Sequence, residues 1–112
     1  MDKKKINYKF NEGKLINDLQ SYIDKTYSGK YSKNKFQSTE FIIDCGHGMG
    51  FALGNVLKYA QRYGKKEGHN RADIMKILHY ALIALHQHDL DVESWKQEVK
   101  DLPLEKMIGT HR

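Results

Sequence analysis

The chain has one cysteine, Cys45, one proline, Pro103, and no apolar run near the ~18 residues that span a membrane. A lone cysteine excludes an internal disulfide framework and any two-cysteine zinc site. A reducing, cytoplasmic setting is therefore the expectation. Cys45 lacks a sequence partner that would activate a nucleophile, so it reads as a small buried hydrophobe. No charged-then-apolar signal segment opens the sequence, and no membrane partner is expected. No Gly-Lys-Ser/Thr follows the cluster Gly46-His47-Gly48-Met49-Gly50, so it is not a Walker A loop. No strand–helix–strand unit surrounds it either, and it reads as a tight interhelical turn. Five of the six histidines lie between 47 and 88, but none makes an HExxH or a ligand-spaced His-Asp pair. Repeats and low-complexity tracts are also lacking.

What remains is one domain's worth of chain, 112 residues. Area scaling for this mass leaves roughly 6,400 Å² exposed from about 19,000 Å² unfolded, enough for one modest core. Apolar residues are 39% and charged residues 29%, the balance of a rather polar globular protein. The net charge of +5 lies in the N-terminal third, where residues 1–37 hold nine lysines against four acids. Lys3, Lys4 and Lys5 read as a solvated start.

Apolar spacing divides the chain into helices. Leu15, Leu19 and Ile23, widened by Ile16 and Tyr22, predict a helix over 12–27. Residues 28–37 are polar and read as a loop. Ser38 is placed to cap a helix over about 39–45, although Phe41-Ile42-Ile43 would also suit a strand. A third helix fits 51–63 through Phe51, Val56, Leu57 and Tyr59, with Gly64 at its left-handed end. Asn70 is placed to cap a fourth, with Asp73 in its first turn. There Ile74, Ile77, Leu78, Ala81, Leu82 and Leu85 give three turns of apolar spacing. Val92, Trp95 and Val99 suggest a short last helix before Pro103 and a loose tail. The expectation is an all-α domain of four or five helices. It divides into a basic helix and loop (1–37), a helical core (38–89) and a short helix with tail (90–112). Its broad apolar faces and seven tyrosines make a homo-oligomer an expectation.

The chemistry concentrates between the third and fourth helices. Lys58 and Arg62 are four apart and share a face that Asn55 extends. Lys65 and Lys66 follow at once. Arg71 comes next, with the free N–H groups of the fourth helix. Cations converging on a helix N-terminus suit a phosphate. A solvated basic face ending in a lysine-tipped turn is the plainer reading of the same spacing. Asp73 would hold a divalent metal or orient a nucleophile beside phosphate, or else pair with Lys76 or Arg71 as a helix-start carboxylate. Glu67, and more remotely Asp44, are the candidates for a second metal carboxylate. His79-Tyr80 reads as the edge of a core or pocket.

The run Gly54-Asn55-Val56-Leu57-Lys58-Tyr59, then Arg62-Tyr63-Gly64-Lys65-Lys66, then Asp73-Ile74 with Lys76 and His79-Tyr80, resembles the SaV-like phage protein family. Its best-known members are described as phage nucleotide kinases without a P-loop. The family pattern is a Gly-Asn-x-x-Lys-Tyr helix, an Arg-x-Gly-Lys-Lys turn, and an Asp-Leu-x-Lys helix ending in an aromatic-Tyr pair. The resemblance covers about residues 39–86, with Ile74 for the usual Leu and His79 where the family often has Trp.

The resemblance implies a nucleotide-binding protein in the cytoplasm of an infected host cell. The activity it implies is a deoxynucleoside monophosphate kinase, with ATP or another nucleoside triphosphate as donor and Mg²⁺ as a candidate cofactor. In that assignment Lys65, Asp73 and Arg62 are catalytic. Asn55, Lys58, Tyr59, Lys66, Arg71, Lys76 and Tyr80 bind nucleotide or phosphate. Two further readings remain open. One is a module that binds or sequesters nucleotides without turnover. The other is a nucleic-acid-binding accessory protein, suggested by the pI near 9.2 and the Lys/Tyr interleaving of residues 3–36.

Overall fold

The structure, a computed structural model, describes residues 5–29 and 32–101. Four helices follow one another: α1 (Glu12–Thr26), α2 (Ser32–Asp44), α3 (Gly48–Arg62) and α4 (Arg71–Asp101). There is no strand among the described residues, and Phe41-Ile42-Ile43 is helical. The fold is all-α, as expected. Most of Lys3–Lys5 and the tail beyond Asp101 lie outside the described residues.

Three boundaries differ from the expectation. α3 starts at Gly48, so Gly48-Met49-Gly50, expected within a tight turn, forms its first turn and only Gly46 and His47 remain outside. The segment read as a loop over 28–37 is helical from Ser32, because nothing after Gly29 breaks it, and Ser38 is an interior residue. Within α2, Thr39 Oγ1 donates back to the Lys35 carbonyl at 3.0 Å, and Phe36 stacks on Tyr27 at 4.2 Å. The separate last helix does not exist. His86 to Asp91 contains neither Gly nor Pro, and Gln87 Nε2 bonds Asp91 Oδ1 at 2.8 Å across one turn. α4 therefore runs unbroken for 31 residues, about 46 Å.

The centre of the fold is the antiparallel hairpin of α3 and α4. Arg62 meets Asp73 at the closed end, and Gly48 meets Gln87 at the open end. Glycine at 48 leaves room for the Gln87 amide, which a Cβ there would push aside. Gly64 takes φ +84° in the turn, and its N–H donates to the Gly68 carbonyl at 2.9 Å. Asn70 caps α4 as expected, its Oδ1 accepting the Ala72 N–H at 2.9 Å.

Among the described residues only Ala52, Tyr59, Met75 and Ala84 are buried hydrophobics. Ala52, Tyr59 and Ala84 lie between α3 and α4. Met75 lies on α4 between Arg71, which pairs with Asp18, and His79, whose ring meets Tyr22. These three residues are one turn apart, so α1 covers that strip. The apolar stripe that marks α4 in the sequence is largely outside this core: Ile74, Leu78, Leu82 and Leu85 are all exposed. The strip that α3 buries carries Asp73, Tyr80, Ala84 and Gln87 instead, because the small Ala52 and Ala84 permit the close approach. Leu15 and Ile16 of α1, Leu57 of α3 and Cys45 are exposed too. Cys45 sits in the open turn after α2, not in the core.

Candidate functional site

Tyr59 lies one turn before the end of α3, buried against α4. Three cations surround its ring. Lys58 Nζ is 4.9 Å from the centroid, Lys76 Nζ 5.0 Å and the Arg62 guanidinium carbon 5.7 Å. Helix periodicity explains the meeting. Lys58 and Arg62 flank Tyr59 on α3, and Lys76 comes from the facing turn of α4. Each cation gains from the negative face of the ring. Tyr80 stacks on Tyr59 at 6.0 Å with planes 11° apart, and Phe51 meets Tyr80 edge-on at 5.9 Å.

Asp73 lies beneath the cations and is 2% exposed. Its Oδ1 is 3.6 Å from Arg62 Nε, an ion-pair distance too long for a hydrogen bond. Asp73 Oδ2 and Arg62 Nε are both buried and lack hydrogen-bond partners among the described residues. A buried carboxylate and guanidinium left incompletely bonded are costly for the fold, which makes them candidates for function. Arg62 also reaches Glu67 at 3.6 Å. Glu67, at φ +61° in the turn, is thus a partner of Arg62.

Three phenols and an imidazole close the site toward α1. Burial raises the Tyr22 phenol above its usual range, and the nearby Tyr59 raises it further. The Tyr80 phenol rises for the same reasons, with Tyr22 adding to the effect. Burial lowers the His79 imidazole below its usual range, and Lys35 of α2 lowers it again. His79 also lines an apolar cavity of about 510 Å³ between α1, α2 and α4, shared with Phe36, Glu40 and His86. The expected placement of His79 at a pocket edge agrees with this.

The structure thus brings together Lys58, Tyr59, Arg62, Asp73, Lys76 and Tyr80. It does not bring in the others. Asn55 Nδ2 donates to the Phe51 carbonyl at 2.9 Å within its own helix. Arg71 turns to α1, where Asp18 accepts from it at 3.0 Å. The expected free N–H groups of α4 are not free at its start, since Asn70 takes those of Ala72 and Asp73. Lys65 and Lys66 stand on the exposed turn, and their backbone N–H groups donate to the Arg62 carbonyl. Asp44 ends α2, away from the hairpin turn.

Sequence reasoning missed Asp18 and Tyr22. Lys14 and Arg71 hold the Asp18 carboxyl below the usual carboxylate range, the Lys14 hydrogen bond being the largest cause. The Lys14–Asp18 spacing of four was legible, but the bond to Arg71, 53 residues on, was not. Tyr22 was legible only as part of an apolar stripe. No group of three or more His, Cys, Asp or Glu able to hold a metal occurs among the described residues. Asp73 does not fit a metal-ligand role by itself, because a guanidinium already occupies the space beside it.

No helix among the described residues is long and apolar enough to cross a membrane. Searches of curated proteins and of solved structures find no match to the chain. A family model does match, over residues 21–82, a stretch that holds every residue of the cation and tyrosine cluster. The chain belongs to that family, described as a protein of unknown function, DUF3310.

Proposed function

We propose that the protein binds nucleotides and acts as a deoxynucleoside monophosphate kinase. The observation that carries this reading is the convergence of Lys58, Arg62 and Lys76 on the Tyr59 ring above the buried Asp73. Cations neutralise phosphate charge, and exposed edges of stacked aromatic rings suit a planar base. The resemblance of residues 39–86 to phage nucleotide kinases supports the same assignment. On this reading the protein is a cytoplasmic phage product that works on free nucleotides as a homo-oligomer.

Phosphoryl transfer asks the protein mainly for positioning and charge neutralisation. An oxygen of the acceptor monophosphate forms a bond to the γ-phosphorus of the donor triphosphate. The bond from that phosphorus to the β–γ bridging oxygen breaks, and two diphosphates leave. Lys58, Lys76 and Arg62 hold the phosphates and stabilise charge that develops on the transferred group. Asp73 positions Arg62. Lys65 and Lys66, on the exposed turn, meet the phosphates from the solvent side. Mg²⁺ carried by the donor phosphates would supply further charge neutralisation beside Lys58, Lys76 and Arg62.

The test offers purified protein Mg²⁺, a triphosphate donor and each deoxynucleoside monophosphate in turn, with products separated by ion exchange. Diphosphate should form, and Lys76→Ala, Lys65→Ala and Asp73→Asn should each lower its rate by about tenfold or more. Nucleotide-dependent thermal stabilisation without product would replace the kinase by a nucleotide-binding module. Neither turnover nor stabilisation would overturn the reading. A steep, salt-sensitive affinity for DNA would then favour a nucleic-acid partner.

A further inference from the structure

The apolar cavity between α1, α2 and α4 continues the row of residues that begins at the cation cluster. Lys76, His79, Ile83 and His86 are three or four residues apart and share one face of α4. Lys76 stands at the cation end of this row, and the other three line the cavity. From Lys76 to Ile83 the helix rises about 10 Å. Three rings form the partition between the two compartments. His79 meets Tyr22 edge-on and Tyr80 at a tilt, with centroids 6.3 Å apart in each case. Tyr80 in turn stacks on Tyr59, the ring that the cations face.

The compartments differ in chemistry. Lys58, Arg62 and Lys76 gather at one end. Among the described residues, no lysine or arginine lines the cavity. Its walls carry Ile23, Ile43 and Ile83, with Tyr27 and Phe36 stacked at 4.2 Å and planes 16° apart. Glu40, an exposed residue, brings its one carboxylate. Burial and Lys35 lower the His79 pKa, so near pH 7 this imidazole is neutral and offers one donor and one acceptor.

We infer that the cavity takes the base of the nucleotide whose phosphates Lys58, Arg62 and Lys76 hold, an inference that rests on the nucleotide reading above. Size, shape and charge select a base. The volume of about 510 Å³ falls within the roughly 300–1,000 Å³ of small-molecule sites. A planar group can lie on the aromatic wall of Tyr27 and Phe36. Every nucleobase carries at least one N–H on its edge for Glu40 to accept, and His79 complements a ring nitrogen or carbonyl. The same carboxylate repels phosphate. The nucleotide therefore enters in one orientation, base inward and phosphates toward Lys76, with its sugar along the phenols of Tyr22 and Tyr80.

The test compares each deoxynucleoside monophosphate with inorganic triphosphate, which has the charge but no base. Ile83→Trp fills the cavity. In calorimetric titration it should weaken every monophosphate by about tenfold or more and leave inorganic triphosphate unchanged, whereas Lys76→Ala should weaken both. Glu40→Gln should change the order of preference among the four bases. A further measurement holds even if Ile83→Trp unfolds. In a Cys45→Ser background the exposed Leu82, which lines the cavity, becomes the probe as Leu82→Cys. A monophosphate should slow its alkylation severalfold and inorganic triphosphate should not, while Cys45 of the parent chain should react at one rate throughout. Unchanged monophosphate binding in a folded Ile83→Trp, or unchanged alkylation at Leu82→Cys with monophosphate bound, would overturn the base assignment and leave the nucleotide reading standing. A parent chain that binds neither monophosphate nor inorganic triphosphate would overturn the nucleotide reading and this inference with it.

Discussion

The two sides of the α3–α4 hairpin are built from neighbouring residues of the same helices, yet they differ in almost every respect. One side is crowded. Tyr59, Tyr80 and Phe51 pack ring on ring, three cations face Tyr59, and a carboxylate is buried below. The other side is bare leucine and glycine. A helix that is apolar all round normally belongs in an interior. α4 comes close to that pattern, with one strip on α3, one on α1 and a third uncovered. The comparison teaches that hydrophobic periodicity reports which faces need a partner, without telling whether the partner lies in the same chain.

The strongest way to break this comparison uses two residues on one helix. Tyr59→Ala should cost about 3–5 kcal/mol, the usual loss when a large buried ring is removed. The cations that stack on it lose their partner as well. Leu57→Ala, two residues earlier, should change the stability of the dilute single chain by no more than about 0.5 kcal/mol. Urea unfolding with Trp95 fluorescence, repeated over a range of protein concentrations, separates the two. Tyr59→Ala should shift the midpoint at every concentration, and Leu57→Ala only where copies associate. Equal losses in dilute protein would mean that both sides are filled within one chain.

A second test sharpens the crowded side by loosening its base. Asn70 holds the start of α4 through the Ala72 N–H, and Asp73 and Lys76 follow within two turns. Asn70→Ala should cost about 1 kcal/mol, read as a lower melting temperature. Asn70→Asp should restore most of it, because an acidic cap still accepts the N–H and favours the helix dipole. If Asn70→Ala melts with the parent protein, the cap does not set the α4 start.

The sequence made the helices legible where apolar spacing and a cap coincided. The start of α4 is such a case, whereas α1 shows through spacing alone, and Asn70 and Gly64 perform the roles that their types suggest. It misled where a polar segment stood for a loop. Nothing in 32–37 prevents helix, and the stack of Phe36 on Tyr27 is a tertiary contact that no local rule contains. The candidate site was half legible. Lys58, Arg62 and Asp73 carry their positions in their spacing. Lys76 joins them only because α4 folds back on α3. Arg71 leaves them because Asp18, far away in sequence, competes for it. The leucines of α4 show why spacing assigns a face without naming what covers it: Ile74, Leu78 and Leu85 keep helical spacing and are exposed.

The smallest expected effect lies at the edge between the crowded side and α1. Burial and Lys35 lower the His79 pKa from its unfolded value of 6.5. Between the folded and unfolded values the unfolded chain therefore binds more protons. Stability then rises with pH through that window. The His79 share of stability is complete above about pH 6.5 and declines as pH falls toward the folded value. Asp18 has the opposite history of charge but the same sign of slope, at lower pH. Its folded pKa is depressed below 3.8, so its share is lost only in stronger acid. The two can be separated by melting curves from about pH 2 to about pH 8. His79→Phe should flatten the slope just below neutrality while leaving the acid limb. Asp18→Asn should do the reverse. If His79→Phe leaves the neutral slope intact, His79 is as well solvated in the folded chain as in the unfolded one, and the packing of Tyr22 against it is looser than the ring geometry implies.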